Sequence, residues 1–248
     1  MKLTYRILLL AAVFPLIFAF KKGSPTIFSF KQNTLSEAEK AGGWKMLFDG
    51  KTTNGWHSFN KKTVSKKWTV QDGMLHLDPK APGAGDENGD IVTDAEYSNY
   101  ELCLEWKIAP CGNSGVVYNV VEDPKYRWGW ETGPEMQVLD NACHPDAKIE
   151  KHKAGDLYDL VASSQITVKT AGEWNEARLV NRNGKVEHWL NGKKVVEVDM
   201  TGDAWKRLIA GSKFKDMPDF GKKTSGRILL QDHGDLVWYR SIKIRELK

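Results

Sequence analysis

The fold this sequence predicts is all-β, an antiparallel sandwich or jelly roll with short peripheral helices. Three observations predict it. Apolar and polar residues alternate in many short runs, tight-turn dipeptides punctuate those runs, and ten tryptophans supply bulky core material. The β pattern runs as one unit from 44 to 248, with no composition break and no internal repeat.

Residues 1–22 read as a signal peptide or N-terminal anchor. Lys2 and Arg6 precede an apolar stretch from Ile7 to Phe20, and Lys21 and Lys22 follow it. That stretch is short for a membrane span, while Phe18-Ala19-Phe20 is a poor small-residue cleavage site. The expectation is export to the periplasm or beyond, with an uncleaved membrane anchor as the alternative. Residues 23–43 read as a linker and a short helix, with Thr34-Leu-Ser-Glu37 resembling a capping box and Gly42-Gly43 a stop.

Within 44–248, Trp68, Val70, Leu75 and Leu77 flank Asp72-Gly73, which spells a hairpin. Tyr100, Leu102, Leu104, Trp106 and Ile108 fall on one face of a longer strand. Asn183-Gly184 and Asn191-Gly192 divide Trp174 to Asp199 into a three-strand meander. Asp203 to Ser212 is helical in pattern, and Ile228 to Gln231 and Leu236 to Arg245 supply two last strands.

Charge excludes one class of partner. Of 36 basic residues, Lys2, Arg6, Lys21 and Lys22 precede position 23, leaving 32 against 32 acidic residues in the rest. A neutral domain has no global reason to bind nucleic acid, and Lys61-Lys62, Lys66-Lys67 and Lys222-Lys223 read as solvated loop charges. No protein partner is predicted. Cys103, Cys111 and Cys143 are too few for a disulfide framework or a thiolate zinc site. One pair suits a bridge in an oxidising compartment, and Cys103 reads as a small buried residue.

Chemistry concentrates in residues 130–146. Met136 and Val138 share one parity of an extended run and would face a core, which turns Glu135 and Gln137 together to the other side. Asp140, His144 and Asp146 follow where Asn141 and Pro145 signal a loop that folds back over the same wall. Upstream, Asn113 in Gly112-Asn-Ser-Gly115 offers hydrogen bonds where glycines let backbone approach a ligand. Arg127, Trp128 and Trp130 form a cationic and aromatic cluster suited to sugar rings. Gln231 and His233 end a strand and enter a turn as further ligand contacts. Arg240 shares the parity of Leu236, Trp238, Ile242 and Ile244, so it needs a partner or projects into a cleft as an oxyanion stabiliser. Glu135, Asp140, His144 and Asp146 carry atoms that suit a divalent metal ion, without a diagnostic spacing. The chain has no phosphate-binding glycine loop and no His-Glu-x-x-His helix.

Several motifs in order carry a resemblance. Gly50-Lys51, Gly55-Trp56, Gly112-Asn-Ser-Gly115, Gly133-Pro-Glu-Met-Gln-Val-Leu-Asp140, Gly172-Glu-Trp-Asn175, Leu190-Asn-Gly192, Leu230-Gln-Asp-His-Gly234 and Tyr239-Arg-Ser-Ile242 resemble the 3-keto-disaccharide hydrolase family. Met136 stands where that family often has an aromatic residue, and Tyr239-Arg-Ser241 where it has Phe-Arg-Asn. The resemblance implies a concanavalin A-like jelly roll of two curved antiparallel sheets, export, and action on glycosides already oxidised at C3.

A ketone at C3 acidifies the proton on C2, so the C1 substituent leaves by elimination and water adds later. Such chemistry needs a base, an enolate stabiliser and an acid. Glu135 or His144 is the expected base and Arg240 or a bound cation the stabiliser, with Asp140 a further catalytic carboxylate. Two alternatives stand beside it. An ordinary retaining glycosidase would pair Glu135 with Asp140, its carboxyls about 5 to 5.5 Å apart. A noncatalytic carbohydrate-binding module would use Trp128, Trp130 and Asn113.

Overall fold

The computed structural model describes residues 32–85 and 88–248. The expected signal segment 1–22, and residues 23–31 of the expected linker, lie outside the described residues. In chain order the helix α1 (Glu37–Ala41) precedes β1 (Lys45–Met46), β2 (Trp56–Ser58), β3 (Trp68–Gln71), β4 (Met74–Leu77), β5 (Ile91–Thr93) and β6 (Tyr100–Ile108). Then follow β7 (Asn113–Val120), β8 (Glu135–Leu139), β9 (Asn175–Arg182), β10 (Lys185–Leu190), β11 (Lys193–Asp199), α2 (Asp203–Ala210), β12 (Arg227–Leu230) and β13 (Val237–Glu246).

The strands form two antiparallel sheets, as the alternation predicts. One has the order β11-β10-β9-β6-β13-β4-β3, with β1 also on β13; the other has the order β2-β5-β12-β7-β8. Asp72-Gly73, Asn183-Gly184 and Asn191-Gly192 all have positive φ, from 50° at Asn191 to 78° at Gly192. Only residues tolerant of that region turn so tightly, so these pairs fix the register of the strands they join.

Between the sheets, Leu102, Leu104 and Trp106 of β6 pack in one cluster with Tyr118, Met136, Val138, Leu230 and Tyr239. Each fully buried side chain of this kind contributes about 1.5–3 kcal/mol. Met136 and Val138 are 1% exposed and belong to that cluster. Their neighbours Glu135 and Gln137 therefore emerge on the outer face of the second sheet, the feature on which the site depends. A smaller apolar cluster of Phe59, Val92, Val117, Val120 and Leu229 covers the middle of that face.

Two local readings shift. The capping box is built by Ser36 and Glu39 rather than Thr34 and Glu37. The Ser36 N–H donates to Glu39 Oε2 at 2.7 Å, and the Glu39 N–H donates to Ser36 Oγ at 3.2 Å. The second shift concerns β13, whose pairing with β6 slips between Arg240 and Lys243, where Ser241 has φ 53°. This bulge reverses parity. Tyr239 and Ile242 both face the core, and Arg240 points away from it.

Candidate functional site

The outer face of the second sheet opens into a cleft of about 150 Å³, lined in part by Asn113, Glu135, Gln137 and Gln231. Register explains how strands place these side chains together. Gly115 of β7 lies opposite Gln137 of β8, Asn113 lies opposite Leu139, and Val117 opposite Glu135. The Gln231 N–H donates to the Gly115 carbonyl at 3.0 Å, which brings the end of β12 alongside. Glu135 thus stands at the end of the cleft nearer the apolar middle of the face, with Gln137 and Gln231 between it and Asn113. Gly115 lies inside β7. Its missing side chain matters, because an added Cβ would stand 2.6 Å from Glu135 Cδ.

Glu135 is 7% exposed, and its carboxylate makes no hydrogen bond or ion pair among the described residues. Burial pushes its pKa up to about 8; Lys213 pulls the other way, and the nearby charges of Asp90 and Asp146 add to the rise. Three amide atoms share its condition. Gln137 Nε2, Asn113 Oδ1 and Gln231 Oε1 are buried without partners among the described residues. Each such group costs about 1–3 kcal/mol when left unmatched. Donors and acceptors that converge unmatched on one cleft suit a ligand rich in hydroxyl and carbonyl groups.

His233 lines the other end, its Nε2 3.5 Å from Asn113 Nδ2. Burial holds its pKa below the usual histidine value, with Asp235 opposing. His144 stands behind it, the two rings 6.0 Å apart and edge to face. His144 caps the 3-10 turn Pro145–Lys148, its Nδ1 accepting the Asp146 N–H at 3.2 Å. A neutral ring then carries its proton on Nε2. A disulfide between Cys111 and Cys143 ties this loop to the start of β7, and Cys103 is buried and free. Asp146 does not itself line the cleft, and it accepts at 3.3 Å from the hydroxyl of Tyr158, which does.

Among the described residues two clusters have metal-ligand spacing. The one built on Cys111, Asp140 and Cys143 is closed by the Cys111–Cys143 disulfide, which leaves one candidate position. Ligand atoms of His144, His233 and Asp235 lie within 4.8 Å of one another. This differs from the set drawn from residues 135–146, of which it keeps His144 alone. The fit is incomplete, because the His144 Nδ1 lone pair is engaged by Asp146 and a metal on Nε2 needs the other tautomer.

Other expected residues lie elsewhere. Asp140 accepts the backbone N–H groups of Cys111 at 2.8 Å and Ala142 at 3.0 Å, so it fixes the disulfide-bearing loop. Arg240 points outward from the first sheet, across the sandwich from the cleft. Its guanidinium holds Glu105 through two hydrogen bonds of 2.9 and 3.0 Å and lies 3.9 Å from the Trp174 ring centre. The Ser241 bulge is the reason. Arg127 is exposed and stacks on Trp128 at 5.0 Å, and neither lines the cleft, whereas Trp130 does.

Three residues of the cleft have no forewarning in the sequence. Backbone of 155–158 extends the free edge of β8, with the Tyr158 N–H donating to the Glu135 carbonyl at 3.0 Å, which sets the Tyr158 ring beside Glu135. Lys213 and Phe214 arrive on the turn after α2, where Ser212 Oγ accepts the Phe214 N–H at 3.1 Å. Lys213 is exposed as a residue, yet its ammonium lies 4.1 Å from the Tyr158 ring centre. Burial of that ammonium pulls its pKa below the ordinary lysine value, against Glu135, Asp159 and Asp146. Among the described residues, Glu135 is the one carboxylate lining the cleft, so the retaining pair of Glu135 and Asp140 is not assembled.

Residues 43–245 match a family described as a 3-keto-alpha-glucoside-1,2-lyase-like domain. A Bacteroides thetaiotaomicron protein named 3-keto-disaccharide hydrolase is 34% identical over 251 residues, covering 90% of this chain and 85% of its own length. A Parabacteroides distasonis crystal structure provisionally named a glycosyl hydrolase superposes with a TM-score of 0.82 at 36% identity, over 88% of this chain and all of that one. A second from the same species gives 0.62 at 32% identity, over 82% of this chain and 99% of its own. By its sequence and its two-sheet sandwich alike, the chain belongs to the 3-keto-alpha-glucoside-1,2-lyase-like domain family.

Proposed function

We propose that the protein is an exported enzyme that cleaves 3-keto-glycosides in the cleft around Glu135, beginning with removal of the C2 proton. The observation that carries this reading is a buried carboxylate without a partner, facing amide groups that also lack partners. A carboxyl held near 8 is a stronger base, once ionised, than an ordinary glutamate, which suits a carbon acid activated by an adjacent ketone. The family match and the name of the Bacteroides relative support the substrate class.

In this reading Gln137, Asn113 and Gln231 hold sugar hydroxyls, and Trp130 covers an apolar ring face. Glu135 takes the proton from C2. The electron pair then expels the C1 substituent, whose oxygen receives a proton from the His233 and His144 end of the cleft. The immediate product is a 1,2-unsaturated 3-keto sugar, and addition of water to it completes hydrolysis. The Cys111–Cys143 disulfide supports export, since such bridges persist in oxidising compartments.

The test is a C2-deuterated 3-keto-glucoside. Several-fold slower cleavage than with the protiated substrate is expected. Equal cleavage of the unoxidised glucoside would point to ordinary glycoside hydrolysis, and binding without any turnover to a carbohydrate-binding module.

A further inference from the structure

Removing a proton from C2 places negative charge on the C3 oxygen, and that charge needs a counter-charge within the cleft. Arg240, the residue whose pattern suggested this role, points away on the other side of the sandwich. Among the described residues lining the cleft, Lys213 is the one lysine or arginine.

Its position is built. The Lys213 N–H donates to Asp159 Oδ2 at 2.6 Å, and Asp159 is itself held by His152 Nε2 at 2.9 Å. Next in sequence, Phe214 is 3% exposed and stacks on Phe220 at 3.8 Å, which anchors the turn in the core. The ammonium lies 4.1, 5.2 and 5.7 Å from the ring centres of Tyr158, Phe214 and Trp130. Aromatic faces attract a cation without neutralising it. Lys213 and Glu135 feel one another's charge, yet the ammonium enters no ion pair or hydrogen bond among the described residues. Base and cation thus line one cleft of about 150 Å³, and neither is consumed by the other.

Resting on the 3-keto-glycoside reading above, we infer that Lys213 is a catalytic residue whose ammonium stabilises the enolate oxygen at C3. In that step the C2–H bond breaks and its proton passes to the Glu135 carboxylate. The released pair forms the C2–C3 double bond, and the carbonyl π pair moves to O3, where Lys213 donates a hydrogen bond. When the carbonyl re-forms, the pair shifts to C1–C2 and the C1–O bond breaks, leaving Lys213 protonated as it began.

Lys213→Met keeps the aliphatic stem among the rings and removes the charge, while Lys213→Arg keeps the charge. With a 3-keto-glucoside, Lys213→Met should lower kcat by about 100- to 1,000-fold, the loss typical of removing one oxyanion donor. Its KM should change little, and exchange of the C2 proton with deuterated solvent should fall in parallel. Lys213→Arg should recover part of kcat and lose the alkaline limb of the pH profile, since guanidinium does not titrate there. A Lys213→Met kcat within about threefold of wild type, or a loss confined to KM, would overturn the inference. If Lys213→Met fails to fold, Lys213→Arg decides, because an unchanged alkaline limb contradicts the role. Wild-type turnover separates the two levels. With turnover intact and Lys213→Met equally active, the inference alone falls; with no wild-type turnover of any 3-keto-glycoside, the reading falls and takes the inference with it.

Discussion

A Cβ on Gly115 would stand 2.6 Å from Cδ and 2.9 Å from Cγ of Glu135, so the glutamate side chain fills the volume that any other residue at 115 would claim. Gly115 has no positive φ, and its requirement is therefore space rather than backbone freedom. Gly115→Ala is expected to displace the carboxylate while the sandwich still forms. Stability should fall by about 1–3 kcal/mol, the usual cost of overpacking. Cleavage should fall by at least about tenfold, by the sensitivity of catalysis to misplaced groups. Steady-state kinetics beside thermal melting separates the two effects, and an active Gly115→Ala variant would remove Glu135 from the chemistry.

Glu135 also couples stability to pH. Its folded pKa is raised, from an ordinary 4.5 to about 8, so the folded state holds a proton that the unfolded chain releases. The stability this group contributes is full below about 4.5 and is lost as pH rises toward about 8. Glu135→Gln removes the charge that must be buried. It should be more stable than wild type at pH 8 to 9 by on the order of 1–3 kcal/mol, with the advantage vanishing near pH 4. Denaturant titrations at both pH values measure this, and a difference independent of pH would contradict the assignment.

How far these groups are legible in the sequence differs by residue. The alternation of Met136 and Val138 with Glu135 and Gln137 is a period-two pattern, and the Asn-Gly and Asp-Gly turns state their own conformation, so the sheet and one wall of the cleft can be read directly. Arg240 is misread because one residue, Ser241 at φ 53°, inserts a bulge that reverses the face of everything before it. Nothing local distinguishes Lys213 from the exposed Lys215 two positions on. Its role depends on a turn after α2 meeting the edge of β8, a contact between segments far apart in the chain.

The loop bearing His144 depends on the Cys111–Cys143 bridge, whose sequence separation is 32. Cys143→Ser is expected to cost about 2–4 kcal/mol of stability. It should also lower turnover below the melting temperature, because Asp140 and the bridge together hold the loop against β7. Wild-type protein treated with reductant should match the variant. Unchanged kcat in both would separate His144 from the reaction.

Chelation tests the metal reading. Because His144 Nδ1 accepts the Asp146 N–H at 3.2 Å, the ring presents Nε2–H rather than a free lone pair. Turnover is expected to survive prolonged treatment with chelator within about twofold. Loss of activity restored by one divalent ion, and abolished in His233→Ala, would instead assign a metal to His144, His233 and Asp235.

The most direct measurement compares wild type and Glu135→Gln on matched glucosides and 3-keto-glucosides, with folding of both confirmed by circular dichroism. The account predicts that wild type cleaves the oxidised substrates and leaves the unoxidised ones intact. Glu135→Gln should bind the oxidised sugar yet lose cleavage and C2 proton exchange together, by about 100-fold or more. Glu135→Gln cleaving 3-keto-glucosides at the wild-type rate, or wild type cleaving plain glucosides as fast as oxidised ones, would contradict it.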